Sequence, residues 1–587
     1  MLIFILILLL IFLAYIIFRL YSIRFFAWKI NFPKPKYRVL VEKNVMVAMK
    51  DGTKLATDIY RPQSRWKFPV ILARTPYNKS GSTHPYKQFA ELFASQGYVV
   101  IIQDVRGKYN SGGEFYPYAY EALDGNDTIN WAGEASWSNG NVAMVGISYL
   151  GSCAWLAARY RNPYLRTIIS MFTTQDTYSV WINQGIPYLK GPLYWQTKFG
   201  SNKKENHRAS INAIAKTLWR LPFNNLDTFA IHQKVPFFQD YIKHIVPGPF
   251  WDEISAHHVV PDLDMPVLII GGWYDPFIRA TIEDYQRMCQ APSSSKNHYS
   301  ELIIGPWGHN PAHKFKDVSY GKKSEFTSFL FKMLEWCDNW LKENKHPTRE
   351  LKKISYFIMG KNDWCKSYQW PPSQNYEKYF LTPEHPDNTK KGILSKTRFE
   401  TIHKSRFIYN PRNPVLFRGN YLLDKENWIE PIEQAEILGR EDILIYSSEP
   451  MQEELTVAGT IKLILYVSSQ AVDTDFYAKI SDTHPDGRTY NLAVGSVRMR
   501  YRNTLDKPEL MKPGEIYPLE ITLKSLAHSF LKYHRIQLQI TSSDFPVHNR
   551  NLNTGLSCEK SMDIKEVEQT LYTGGPYDSH LLLPILS

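Results

Sequence analysis

The feature that most constrains this chain is a series of short runs too apolar to have an exposed face, alternating with stretches of helical periodicity. Pro69 to Tyr77, Tyr98 to Asp104, Asn141 to Val145, Thr167 to Phe172, Pro266 to Gly272 and Glu301 to Ile304 all read as such strands. Strands buried on both faces belong to a parallel sheet covered by helices. The helical stretches Tyr86 to Ser95, Glu121 to Ala132, Tyr149 to Tyr160 and Ile278 to Met288 supply the crossovers. Ahead of them, Val39 to Ala48 and Lys54 to Tyr60 flank Lys50-Asp51-Gly52, the signature of a β-hairpin.

The rhythm breaks twice. Over 173–260 no strand pattern appears, and Trp181, Tyr188, Trp195, Trp219 and Phe237 fall at irregular helical spacing, which predicts a helical cap inserted over the sheet. The α/β unit then occupies 37–172 and 261–345, closing with an amphipathic helix from Ser324 to Leu341. Beyond it, over 352–587, only strands are strongly patterned: Leu519, Ile521 and Leu523 alternate, as do Ile536, Leu538 and Ile540. That pattern predicts an all-β domain, a sandwich of jelly-roll type.

At the amino terminus, Leu2 to Phe18 is an unbroken apolar run, near the shortest helix able to cross about 30 Å of hydrocarbon. No charge precedes it and no small-residue cleavage site follows, so 1–20 reads as an uncleaved membrane anchor, with secretion after signal cleavage as the alternative. Arg19, Arg24 and Lys29 on its carboxyl side place the body of the protein on the cytoplasmic face by the positive-inside rule. The 587 residues carry a formal charge of +12, but the basic residues are spread out and form no nucleic-acid signature. Five scattered cysteines imply neither a disulfide framework nor a thiolate metal site, and Cys153 and Cys337 read as core fillers.

The chemistry concentrates at strand ends. Asn141 to Val145 runs into Gly146-Ile-Ser148-Tyr-Leu-Gly151 and then a helix, the strand, sharp turn and helix context of a nucleophile elbow. Ser148 is the candidate nucleophile, and the amide of Tyr149 at the helix start points at a developing oxyanion. After the strand ending in Gly271-Gly272 comes Asp275, and after the next strand Gly305-Pro-Trp-Gly-His309. Both sit at the carboxyl edge of the sheet, where the sites of open α/β sheets collect. The order Ser148, Asp275, His309 is the order of nucleophile, acid and base in the α/β-hydrolase fold, the long first gap accommodating the cap. Two-step acyl transfer through these three needs no metal or organic cofactor. Asp104 and Arg106 are read as holding a loop together through a charge-assisted hydrogen bond.

These residues resemble the serine hydrolases of the cocaine esterase and Xaa-Pro dipeptidyl-peptidase type, the CocE/NonD family, from Tyr37 to near the end of the chain. The resemblance rests on Arg74-Thr-Pro-Tyr77, Gln103-Asp-Val-Arg-Gly107, Trp137-Ser-Asn-Gly140, the Gly-Ile-Ser-Tyr-Leu-Gly elbow, Gly272-Trp-Tyr-Asp275, Gly305-Pro-Trp-Gly-His309, Asp473-Thr-Asp-Phe476 and Arg498-Met-Arg-Tyr-Arg502. It implies that the Tyr77 hydroxyl is the second oxyanion donor beside the Tyr149 amide, and that Phe277 lines the acyl pocket, a position equally suited to core packing. An esterase or amidase for a small, largely apolar acyl substrate is the default reading, with a proline-specific dipeptidyl-peptidase as runner-up and an inactive binding protein as the alternative of another class.

Overall fold

The computed structural model describes residues 23–81, 86–200, 211–290, 296–309, 311–312, 314–343, 353–385, 390–417, 431–557 and 559–586. The run read as an anchor, 1–20, lies outside them, and no helix among the described residues is long and apolar enough to cross a membrane.

The strands of the α/β unit are β1 (Val39–Ala48), β2 (Lys54–Pro62), β3 (Phe68–Thr75), β4 (Val99–Asp104), β5 (Ser138–Ile147) and β6 (Leu165–Met171). After a short hairpin of β7 (Ile182–Asn183) and β8 (Ile186–Pro187) come β9 (Val267–Gly272), β10 (Glu301–Gly305), β11 (Ile354–Ile358) and β12 (Asp363–Ser367). They form a ten-stranded sheet in the order β1-β2-β4-β3-β5-β6-β9-β10-β11-β12. The pairings from β4 through β11 are parallel, while β1, β2 and β12 run antiparallel at the edges.

Because side chains alternate across a strand, the apolar runs feed two cores at once. Val70, Leu72, Met144, Ile168 and Ile269 face the helices Glu121–Glu134, Tyr149–Ala158 and Ile278–Cys289. Ile71, Ala73, Val145, Ile169 and Ile270 face the helices Tyr86–Ala94 and Thr327–Cys337. Each such side chain, fully buried, stabilises the sheet by about 1.5–3 kcal/mol. Cys153 and Cys337 are both buried in apolar clusters.

Among the described residues six short α-helices lie between β6 and β9, from Thr177–Trp181 to Pro249–Glu253. Their aromatics, among them Trp181, Phe237, Phe238 and Trp251, share one cluster with Tyr149 and Cys153 of the elbow helix. The β7–β8 hairpin, which sequence patterning did not reveal, ties this segment to the carboxyl-terminal unit. Leu189 N–H donates to Val547 O at 2.8 Å and Asn549 N–H to Pro187 O at 2.9 Å.

The carboxyl-terminal unit is all-β apart from two helical turns among its described residues, Ala435–Leu438 and Met499–Tyr501. Its strands form an eleven-stranded sheet, with Leu455–Gly459 and Leu526–Phe530 paired separately. The two strands that follow the sequence-based boundary at 352 join the α/β sheet, β11 pairing parallel with β10 and β12 closing its edge. Their pattern looked like the start of the β-domain because no helix separates the two strands. The join is apolar and continuous, with Trp273 packed on Trp370 at 5.3 Å between ring centres and its indole N–H donating to Phe357 O at 2.7 Å.

A guanidinium lies within the α/β core. Arg74 is 0% exposed, donates from Nε to Gln103 Oε1 at 2.8 Å and from Nη1 to Glu121 Oε2 at 2.6 Å, and lies 3.6 Å from Asp124. Breaking a buried pair by removing one partner costs more than the pair contributes, because the remaining charge is stranded. Arg74→Met should therefore lower unfolding free energy by about 3–5 kcal/mol in urea titrations followed by tryptophan fluorescence. An unchanged midpoint would contradict this role.

Candidate active site

The turn from β5 into the helix Tyr149–Ala158 places Ser148 at φ 57°, ψ −127°, a region that a side chain rarely adopts. Backbone contacts leave the turn no other course. Ser148 N–H donates to Met171 O of β6 at 2.9 Å, and the amides of Gly151 and Ser152 close on Ser148 O at 2.8 and 3.1 Å. A Cβ at Gly146 would stand 2.1 Å from the Leu150 carbonyl carbon, and one at Gly151 2.5 Å from Thr173 Cγ2, so both positions require glycine.

Asp275 and His309 leave β9 and β10 on loops that are stitched together. Trp273 N–H donates to Gly305 O and Tyr274 N–H to Trp307 O, each at 2.9 Å, and Gly272 has no room for a Cβ against Trp307 O. Buried Asp275 accepts the Phe277 amide on Oδ1 at 2.7 Å and turns Oδ2 to His309 Nδ1 at 3.2 Å. The other ring nitrogen, His309 Nε2, lies 3.0 Å from Ser148 Oγ. Facing an ionised carboxylate, which only accepts, Nδ1 carries the proton and Nε2 presents its lone pair to the serine. The rings of Phe277 and His309 meet edge to face at 5.2 Å, so this buried side chain packs on His309 rather than in a remote core.

Tyr77 follows the end of β3, its amide tied to Thr75 Oγ1 at 3.0 Å. Its hydroxyl accepts the Trp195 indole N–H at 2.9 Å and is hydrogen-bonded to the Ser148 side chain. Burial pushes the Tyr77 phenol well above its ordinary range, so it keeps its proton and remains a donor at any working pH. Tyr149 starts the elbow helix with its amide at the turn. Its hydroxyl donates to Glu121 Oε1 at 3.0 Å and accepts the Tyr118 amide at 2.9 Å, so the Arg74–Glu121 pair also holds the elbow in place.

The sequence of the α/β unit from 51 to 311 matches the family model of the X-Pro dipeptidyl-peptidases (S15 family), and 347–582 matches the X-Pro dipeptidyl-peptidase C-terminal non-catalytic domain. The cocaine esterase of Rhodococcus sp. (strain MB1 Bresler) is 32% identical over 577 residues, covering 93% of this chain and 98% of that protein. The chain belongs to the CocE/NonD serine hydrolases, the family of cocaine esterase and the X-Pro dipeptidyl-peptidases. Its fold is shared by an aminopeptidase from a marine sediment Thaumarchaeota archaeon, at TM-score 0.83 and 22% identity over 94% of this chain and 98% of that one. An α-amino acid ester hydrolase matches at TM-score 0.81 and 22% identity, over 94% and 97% of the two chains.

Sequence reasoning missed two residues beside the site of this CocE/NonD hydrolase and misplaced a third. Trp195, in the helix Lys190–Phe199, is bonded to Tyr77 and stacked on Tyr149 at 5.6 Å; the only signal was a Tyr-Trp pair in a helical stretch. Lys524, from the β-domain, has a buried ammonium near enough to Asp275 and Asp544 to feel their charges, yet burial lowers it to about 8. Arg106 does not pair with Asp104. It bridges Asp124 and Asp51, at 2.6 Å to each, because its side chain points back over the hairpin.

Asp104 instead accepts the Lys79 amide at 2.8 Å, two residues past Tyr77, and so braces that loop. Burial raises Asp104 to about 6, against the opposing pull of the Lys79 amide and ammonium. A carboxyl raised by folding holds its proton more tightly in the folded state, so its contribution is full below about pH 4 and is lost as pH rises through 6. Asp104→Asn removes this loss. The unfolding free energy of the variant minus that of the wild type should rise from pH 4 to 7, and a flat or falling difference would contradict it.

Proposed function

We propose that this serine hydrolase cleaves an ester or amide of a small, largely apolar acyl group through Ser148, His309 and Asp275. The observation that carries the reading is the single imidazole of His309, in contact with Ser148 Oγ through one nitrogen and with Asp275 through the other. In this scheme Ser148 Oγ attacks the carbonyl carbon while its proton passes to His309 Nε2, which then delivers it to the leaving alcohol or amine. Water, deprotonated by the same nitrogen, attacks the acyl-enzyme and releases the acid and free Ser148. Asp275 fixes the tautomer and offsets the imidazolium charge. The Tyr77 hydroxyl and Tyr149 amide take the oxyanion, and Phe277 with the cap aromatics borders the acyl group.

The catalytic unit in this reading comprises 37–172 and 261–345 together with β11 and β12. The helices of 173–260 form its cap, and the rest of 352–587 a jelly-roll partner that closes the cleft. The apolar run within 1–20 would serve as its membrane anchor, with the body cytoplasmic, on the sequence argument alone. A second reading, release of amino-terminal Xaa-Pro dipeptides, is favoured by family models of that description matching both parts of the chain.

Hydrolysis of p-nitrophenyl esters of graded acyl length, beside Gly-Pro- and Ala-Pro-p-nitroanilide, separates the two. The proposal expects ester cleavage that vanishes in Ser148→Ala, with inert anilides; rapid anilide cleavage would move the assignment to the peptidase. Ester cleavage that survives in Ser148→Ala would overturn both. Tyr77→Phe should lower kcat by roughly 10²- to 10³-fold while leaving the melting temperature near that of the wild type. An unchanged kcat would remove Tyr77 from the oxyanion site.

A further inference from the structure

Away from the hydrolase site, three histidines converge on one carboxylate in the β-domain. Asp482 lies near the end of the strand Asp475–Thr483, and His484 follows in the turn that leads to Thr489–Arg498. His534 immediately precedes the strand Arg535–Thr541, which pairs with Asp475–Thr483, and His528 comes from the separate strand Leu526–Phe530. His534 Nδ1 stands 2.9 and 3.0 Å from the two Asp482 oxygens, His528 Nε2 3.0 Å from Oδ2, and His484 Nε2 3.8 Å from Oδ2. The His484 and His534 rings are 4.4 Å apart.

We propose that Asp482, His484 and His534 form a structural site for a divalent transition cation of the zinc type, braced by His528. One nitrogen or oxygen ligand atom from each of the three lies within 4.8 Å of the other two. In a tetrahedral zinc site with bonds near 2.0–2.1 Å, ligand atoms stand roughly 3.4 Å apart. The edge between Asp482 and His534 is already that short, and the two edges to His484 close by a small motion of that side chain. That side chain is one-third exposed in a hairpin turn, which gives it freedom to move and the ion a path from solvent.

The remaining pieces match what such a site requires. Imidazole and carboxylate suit zinc, cobalt and nickel rather than calcium or magnesium. A ligating carboxylate needs an outer hydrogen bond to fix it, and His528 Nε2–H supplies one to Asp482 Oδ2. The ion would displace the proton between His534 and Asp482, which the ring's other nitrogen takes up as the imidazole changes tautomer. Three protein ligands leave a fourth position for water.

Its place in the fold gives the ion work to do. His528 bridges by backbone to Met359, just past β11, and the Tyr274–Tyr320 hydroxyl pair, one residue from Asp275, feels the Asp482 charge. An ion here joins three strands of the β-domain beside its seam with the α/β sheet. Among the described residues the other such convergence, Asp252, His257 and His258, is more open to solvent and has no third histidine behind its carboxylate, so it serves as the control.

The full chain, stripped with EDTA and desalted, is titrated with ZnCl₂ by calorimetry and with CoCl₂ by visible absorption. One ion per chain at micromolar or better affinity is expected, with tetrahedral cobalt bands and a rise in Tm. His484→Ala should weaken binding at least ~10-fold, leaving the metal-free Tm near that of the wild type, whereas His257→Ala/His258→Ala should bind as the wild type does. Absence of zinc binding in the wild type would overturn the proposal. So would binding that persists in His484→Ala or disappears in the control.

Discussion

The structure turns on one strained peptide unit. Ser148 sits at a positive φ that costs of order 1–3 kcal/mol, and such a conformation persists only where its surroundings leave no alternative. Here they do so from four sides: the glycine at 146 admits the Leu150 backbone, the glycine at 151 admits Thr173, β6 takes the serine amide, and the following helix takes its carbonyl. The reward for the strain is geometric. The hydroxyl stands clear of the sheet edge with a helix amide beside it, where neither a regular strand nor a regular helix would place them.

The other parts of the site are positioned relative to that turn by the order of the sheet. β5, β6, β9 and β10 are neighbours, so residues released at their carboxyl ends arrive within reach of one another although they are far apart in sequence. Two backbone hydrogen bonds between the loops after β9 and β10 then fix Asp275 against His309. Beneath the elbow, Arg74 and Glu121 carry opposite charges in a dry interior, and the Tyr149 hydroxyl completes that pair. Stability and chemistry therefore share residues: the ion pair that holds β3 to the helix Glu121–Glu134 also orients Tyr149, the proposed oxyanion donor.

Much of this was legible from the sequence because it follows from local pattern. Runs buried on both faces announce a covered parallel sheet, glycines around a serine announce a sharp turn, and an acid and a histidine just after strands announce a site at the sheet edge. What could not be read depends on which distant segments meet. β11 and β12 look like any β-domain strands until their pairing with β10 is seen. Arg106 has an acid two residues away and reaches past it to Asp124 and Asp51. Trp195 is one of 16 tryptophans, and nothing in its neighbours marks it as the one bonded to Tyr77. Asp482, His484, His528 and His534 share no motif, since three strands bring them together. The Tyr77 role is intermediate: alone it is a turn residue, and only the family resemblance singled it out.

The most direct test of the central claim is covalent. Reaction with a fluorophosphonate, followed by proteolysis and mass spectrometry, should place a single adduct on the peptide that contains Ser148, and prior denaturation should abolish it. Labelling at a different serine, or intact hydrolysis with Ser148 unlabelled, would contradict the account.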